Sequence, residues 1–256
     1  MNANVPLSPS QDNQQILIKA IEGLASSQHT KMFELSNNKF GVNEIFGLMA
    51  ARAFAKNLMR QNSLVLEISL DDTDWTNSWI DSSEQRADLI LVDISIDPSD
   101  DVPVRLLVVE AKARSEGFGS PDPSVDPFEG ASHQVQNTID KLRHLMVGEN
   151  TLTKSIRLRA FTEQLAAVAS SEYMRSDKKS EFEVFFQNLS KFIGDPSSAL
   201  ESIQGLIVGL FTNGHEEAII RNYDGENNVF IACSSRSLEE ILLEKQLTYS
   251  LSLIHI

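Results

Sequence analysis

Arg86-Ala87-Asp88-Leu89-Ile90-Leu91-Val92 and Leu106-Leu107-Val108-Val109-Glu110-Ala111-Lys112 are the stretches whose reading decides the fold. Both are apolar runs of strand length. The first opens on an aspartate, and the second carries a glutamate and a lysine near its end. Side chains two apart on a strand share a face, so Glu110 and Lys112 project together. Ile90, Val92, Ile94 and Ile96 share the parity of Asp88, with Leu89 and Leu91 opposite. Val104, Leu106 and Val108 share the parity of Glu110, with Leu107, Val109 and Ala111 opposite. Strands apolar on both faces belong at the centre of a covered sheet. Charges against such a sheet are costly to bury unless they are paired or hold a metal. Asp88, Glu110 and Lys112 therefore read as a site, against the plainer alternative of strand-end charges that reach water.

Around these strands the pattern is mixed α and β. Residues 42–60 predict a helix with Ile45, Phe46, Met49, Ala53 and Phe54 at helical spacing. Leu64 to Ile68 predicts a strand, followed by an acidic, Trp-bearing loop from Asp71 to Glu84. Residues 115–131, with Gly117, Gly119, Gly130, Pro121, Pro123 and Pro127, have loop composition. Ser132 is the expected N-cap of a helix over 133–147 that buries Val135, Ile139, Leu142 and Met146. Two more amphipathic helices are expected over 153–175 and 181–193, then a strand over 205–211. Residues 218–223 and 228–233 flank Asp224-Gly225-Glu226-Asn227 as a hairpin, and Ser237 caps a final helix to about Lys245. The expected organisation is an N-terminal helical extension over 1–40, then one domain over 41–256 with a helical insertion at about 148–203.

Composition narrows the function. A chain of 256 residues with 41% hydrophobic content can bury a real core. No apolar run approaches the roughly 18 residues of a membrane span. Met1 to Pro6 lacks a signal-peptide pattern, and Cys233 as sole cysteine excludes an internal disulfide and a thiolate zinc site. A cytoplasmic location is expected. The net charge of −14 is unlike that of most phosphate-backbone binders, but it is uneven. Residues 1–110 hold 8 Lys/Arg against 16 Asp/Glu, residues 111–180 hold 10 against 9, and residues 181–256 hold 4 against 11. The segment without an acidic excess thus begins at the Glu-x-Lys strand. Its Lys141, Arg143, Lys154, Arg157 and Arg159 are the candidate nucleic-acid contacts, beneath loop 115–131 as a lid.

Competing chemistries are weaker. The chain has no Gly-x-Ser-x-Gly elbow and no phosphate-binding Gly-x-x-x-x-Gly-Lys-Ser/Thr loop. His133 and His144 sit too far apart on one helix to ligate together, and His215 beside Glu216-Glu217 falls in a turn. Trp75 and Trp79 suit packing against the sheet edge better than stacking on bases.

Helix, three strands, helix, strand, with the acid on the second strand and Glu-x-Lys on the third, resembles the core of the PD-(D/E)XK nuclease superfamily. The resemblance covers roughly residues 42–147 and 205–212. It implies an α/β, restriction-endonuclease-like core with a helical insertion and a C-terminal hairpin plus helix. It also implies hydrolysis of DNA phosphodiester bonds with Mg2+ or Mn2+, RNA being left open. By this resemblance Asp88, Glu110 and Glu44 would hold metal, Lys112 would serve the nucleophile or the transition state, and Gln134 would be a further catalytic residue. Ala87 stands where a proline is frequent, and Thr138 stands where some branches have tyrosine after the glutamine.

A narrower similarity is to nuclease-like modules beside FtsK- or HerA-type DNA-translocating ATPases in bacterial phage-defence and restriction systems. It rests on the order of helix, Arg-Ala-Asp-Leu strand, Val-Glu-x-Lys and a basic helix around Arg157-Leu158-Arg159. It implies a protein partner supplying the motor, with a homo-oligomer also open. Two other readings stand beside the nuclease: a catalytically silent PD-(D/E)XK-like scaffold subunit, and an unrelated α/β interaction protein.

Overall fold

The computed structural model describes residues 41–70, 76–80, 85–114, 130–147, 151–176, 179–211, 219–223 and 228–234. The expected N-terminal extension, the final helix after Ser237, Trp75, His215 and most of loop 115–131 lie outside them.

The chain is an α/β protein built on one mixed sheet. Helix α1 (Gly41–Leu58) leads into β1 (Ser63–Ser69), β2 (Leu89–Ser95) and β3 (Val104–Arg114). Helices α2 (Ala131–Val147), α3 (Leu152–Arg175) and α4 (Phe182–Gly194) follow, then β4 (Ile203–Phe211), β5 (Ile219–Tyr223) and β6 (Asn228–Ser234). The six strands lie in the order β1-β2-β3-β4-β6-β5. β1, β2 and β3 form an antiparallel meander, β4 runs parallel to β3, and β5–β6 is an antiparallel hairpin. The hairpin joins the sheet through β6, which pairs parallel with β4. Among the described residues no helix is long and apolar enough to cross a membrane.

The two-sided apolar pattern has the expected consequence. Every residue of β2 is buried. Ile90, Val92, Ile94, Val104, Leu106 and Val108 pack with α2, α3 and α4 in one core. Leu89, Leu91, Leu107 and Val109 pack with α1 in the other. α1 comes close to the sheet because Ala50, Ala51 and Ala55 form its buried stripe. A methyl group added at Gly47 would sit 3.3 Å from the Ala113 Cβ and 3.5 Å from the Lys112 carbonyl carbon, so α1 braces β3 from behind at that point. On the other face Phe161, Phe185 and Phe192 are fully buried, each stabilising by about 1.5–3 kcal/mol. Trp79 meets Phe161 edge-on at 4.9 Å and donates its indole N–H to Gln164 Oε1 at 2.8 Å. Packing is therefore what Trp79 does.

Two local details differ from the sequence reading. α2 begins at Ala131, so Ser132 is a residue of its first turn and not the N-cap; Gln134 N–H already bonds Gly130 C=O. The helix starts early because Ala131 is itself a core residue. The second difference is a buried charge inside β2. Asp93 is 2% exposed on the α1 face, and the Arg60 guanidinium donates from Nε to its Oδ2 at 3.1 Å. Arg60 also donates to the Asp93 carbonyl at 2.8 Å, to Asp100 Oδ2 at 2.5 Å and to the Val102 carbonyl at 2.6 Å. One arginine just past α1 thus ties that helix to β2 and to the β2–β3 turn.

β4 lies under α2 with no room to spare at Gly205. A Cβ there would lie 2.5 Å from Val135 Cγ1 and would also collide with the Asn228 side chain. Gly205→Ala should therefore lower stability by about 1–3 kcal/mol. A thermal melt should show a drop of several degrees, roughly 2–4 °C per kcal/mol for a protein of this size. An unchanged melting temperature would mean that α2 does not pack on β4 as described.

Candidate functional site

β3 is the element that carries the site. Glu110 and Lys112 leave it on the same face, as period-2 geometry requires, and the Lys112 Nζ forms an ion pair with Glu110 Oε1. Glu110 is fully buried, whereas the Lys112 side chain is 35% exposed. The face is the one covered by α2, because Val108 shares a core with Val135 and Ile139. Across the parallel ladder Gly209 pairs with Lys112.

Asp88 lies one residue before β2, not inside it. The antiparallel register pairs Leu89 with Val109, and one step further along it sets Asp88 across from Glu110. Its N–H donates to Val109 C=O at 3.1 Å, and its C=O accepts from Leu70 N–H at 2.9 Å. Its Oδ2 accepts from the Ala111 N–H at 2.7 Å. That amide nitrogen belongs to the peptide bond joining Glu110 to Ala111. The Asp88 carboxylate is therefore held beside the backbone between Glu110 and Lys112, and the three predicted residues are brought together.

The other predicted residues fare differently. Glu44 is in α1, which packs on the opposite face of the sheet, and its side chain lies outside the described residues. Gln134 is in the first turn of α2, but its Nε2 donates to the Arg86 carbonyl at 3.1 Å. In this structure it holds backbone next to Asp88. Lys141 and Arg143 follow on α2, two turns or more beyond Gln134, and Lys154, Arg157 and Arg159 are on the first half of α3. Arg157 is exposed, Arg159 Nε donates to Glu163 at 2.7 Å, and Arg143 Nη1 is 3.8 Å from Asp140. His133 and His144 are both exposed. Cys233 is buried, and burial pushes its thiol up to about 12, so it is no nucleophile at ordinary pH.

Two residues of the site were missed. Thr138 Oγ1 accepts from Ala87 N–H at 3.0 Å, and Asn137 Nδ2 donates to the Gln85 carbonyl at 3.4 Å. The signal was present in the sequence. Gln134, Asn137, Thr138 and Lys141 recur at helical spacing as a polar stripe beside the apolar one.

The donor set suits a hard divalent ion. Mg2+ is commonly held by one or two carboxylates, with water and substrate phosphate completing the shell. Asp88 and Glu110 supply that number. Among the described residues no group of three or more His, Cys, Asp or Glu side chains gathers to hold a metal. No protein-family model matches the chain, and neither a curated protein nor a solved structure matches it significantly.

A buried carboxylate kept for function has a recognisable energetic signature. Replacing a buried ion pair with apolar groups of similar volume is often neutral or stabilising, while removing one partner is destabilising. Lys112→Leu alone should lower stability by about 1–2 kcal/mol, moderated by the partial exposure of the ammonium. Glu110→Leu with Lys112→Leu should restore wild-type stability or better in urea denaturation. A double variant less stable than Lys112→Leu would mean that the pair serves the fold.

Proposed function

We propose that this chain is a Mg2+- or Mn2+-dependent nuclease of the PD-(D/E)XK type, with a restriction-endonuclease-like core, that hydrolyses DNA phosphodiester bonds. The observation that carries the reading is the contact of Asp88 Oδ2 with the Ala111 amide, which sets one carboxylate beside the strand segment bearing the other and its lysine. The order of elements around it, helix, three-stranded meander, helix and parallel strand, supports the same reading.

Asp88 and Glu110 are the residues that would hold the ion. When bound, a divalent cation lowers the pKa of a coordinated water and offsets charge on the phosphate. Lys112 pairs with Glu110 and has a partly exposed side chain, so it can offer a positive charge to a phosphate oxygen or orient the attacking water. The strand fixes where that charge sits.

The acidic balance of the chain favours help in meeting DNA. A partner that holds or translocates the duplex, of the ATPase kind, would deliver the substrate, in a setting such as restriction or antiviral defence. The cations of α2 and α3 are the chain's own contribution. Lys154→Glu combined with Arg157→Glu should weaken DNA binding and reduce the salt slope by about two units, one per lost phosphate contact. Fluorescence anisotropy across a salt series reads this directly, and an unchanged slope would remove these residues from the interface.

Cleavage assays with Mg2+ or Mn2+, on the chain alone and with its partner, test the reading. Asp88→Ala, Glu110→Ala and Lys112→Ala should each cut activity by more than about a hundredfold, with circular dichroism unchanged. The Glu110–Lys112 ion pair, which gives the Glu110 Oε1 a counter-charge within the chain, favours a second reading: a catalytically silent scaffold subunit. Wild-type protein that never cleaves nucleic acid, and variants that keep full biological function, would establish that alternative.

A further inference from the structure

We propose that α2 is the positioning element of this site: Thr138, flanked by Gln134 and Asn137, clamps the segment Gln85–Ala87 and so fixes the carboxylate of Asp88. The inference rests on the metal-binding role proposed for Asp88 and adds what makes that role possible.

Each residue of the segment entering β2 is tied down. Gln85 C=O accepts from Asn137 Nδ2, Arg86 C=O accepts from Gln134 Nε2, and Ala87 N–H donates to Thr138 Oγ1. Asp88 follows with both backbone groups engaged, its C=O by Leu70 just past β1 and its N–H by Val109 of β3. The three donors and acceptors on α2 occupy positions i, i+3 and i+4, one stripe of a helix. Thr138 is the pivot. Its hydroxyl donates to the Gln134 carbonyl at 2.8 Å while accepting from Ala87 N–H, so its proton and one lone pair are both used. It is 1% exposed, and Ala87 is equally buried, so water cannot replace the bond. The Arg86 side chain adds a tether on the other side, donating to Asn77 Oδ1 at 3.1 Å.

The clamp matters because Asp88 is the point at which the chain enters the sheet: its own N–H and C=O bond β3 and Leu70, while the three residues before it are held by side chains of α2. Its Oδ2 takes the Ala111 N–H at 2.7 Å, and a shift of the adjoining Ala87 backbone would carry that carboxylate with it. Gln134 and Thr138 are thus positioning residues, and neither touches a reacting atom here.

Mn2+ titration of the full chain by calorimetry, together with amide hydrogen exchange at Ala87 and Ala111, tests this. Thr138→Val keeps the volume and deletes the hydroxyl. It should weaken Mn2+ binding by about tenfold or more, the usual scale for a group supporting a metal ligand, and should speed exchange at both amides. Thr138→Ser keeps the hydroxyl and should bind Mn2+ within about twofold of wild type. Should Thr138→Val fail to fold, Gln134→Ala, at a half-exposed position, carries the test, with the same direction expected in both readouts.

Wild-type affinity in Thr138→Val or, where that variant is unfolded, in Gln134→Ala would overturn the clamp while leaving the metal site intact, provided Asp88→Ala abolishes binding. Equal losses in Thr138→Ser and Thr138→Val would assign the effect to packing and overturn it as well. Wild-type protein that binds no Mn2+ would remove the metal-site reading and this inference together.

Discussion

A carboxylate fully buried on a central strand, in a sheet apolar on both faces, is the constraint around which this structure is organised. Glu110 cannot reach water, so its charge must be answered by groups on its own face. Lys112, two residues on, is the first such group, and strand geometry makes that choice automatic. A sheet edge could have carried the same charges at little cost. Setting them in the middle, between antiparallel β2 and parallel β4, demands that everything around them be held still.

The two helical layers divide that task. α1 braces β3 from behind, using glycine and alanine to bring its backbone against Lys112 and Ala113. Arg60 anchors the far end of α1 by bonding Asp93, Asp100 and the Val102 carbonyl. α2 covers the other face and bonds the segment that leads into Asp88, while Gly205 lets it lie directly on β4. α3 and α4 close the same core through Phe161, Phe185, Phe192 and the Trp79–Phe161 contact. Stability and site geometry therefore share elements, and a variant that loosens α2 should affect both.

Much of this was legible because hydrophobic period is a strong signal. The strands around Asp88 and Glu110, the meander, the helices α3 and α4 and the β5–β6 hairpin all follow from apolar spacing and turn composition. The pairing of Glu110 with Lys112 follows from parity alone. Features that depend on long-range packing were not legible. Nothing local marks Asp93 as a buried partner of Arg60, because the two lie 33 residues apart and meet only when α1 docks. Nor does local composition reveal that Ala131, buried in the core, carries α2 past the expected cap at Ser132. The position of Gln134 after Glu-x-Lys is readable in the sequence, but its partner, the Arg86 carbonyl, is set by the tertiary structure.

The central claim is that Asp88 and Glu110 form one divalent-ion site. The most direct test is an anomalous-difference map from a crystal of the full chain soaked in Mn2+. The account predicts a single strong peak bridging the two carboxylates, with oxygen ligands at roughly 2.0–2.6 Å. A saturating soak with no peak there, or with Mn2+ bound only elsewhere, would contradict it.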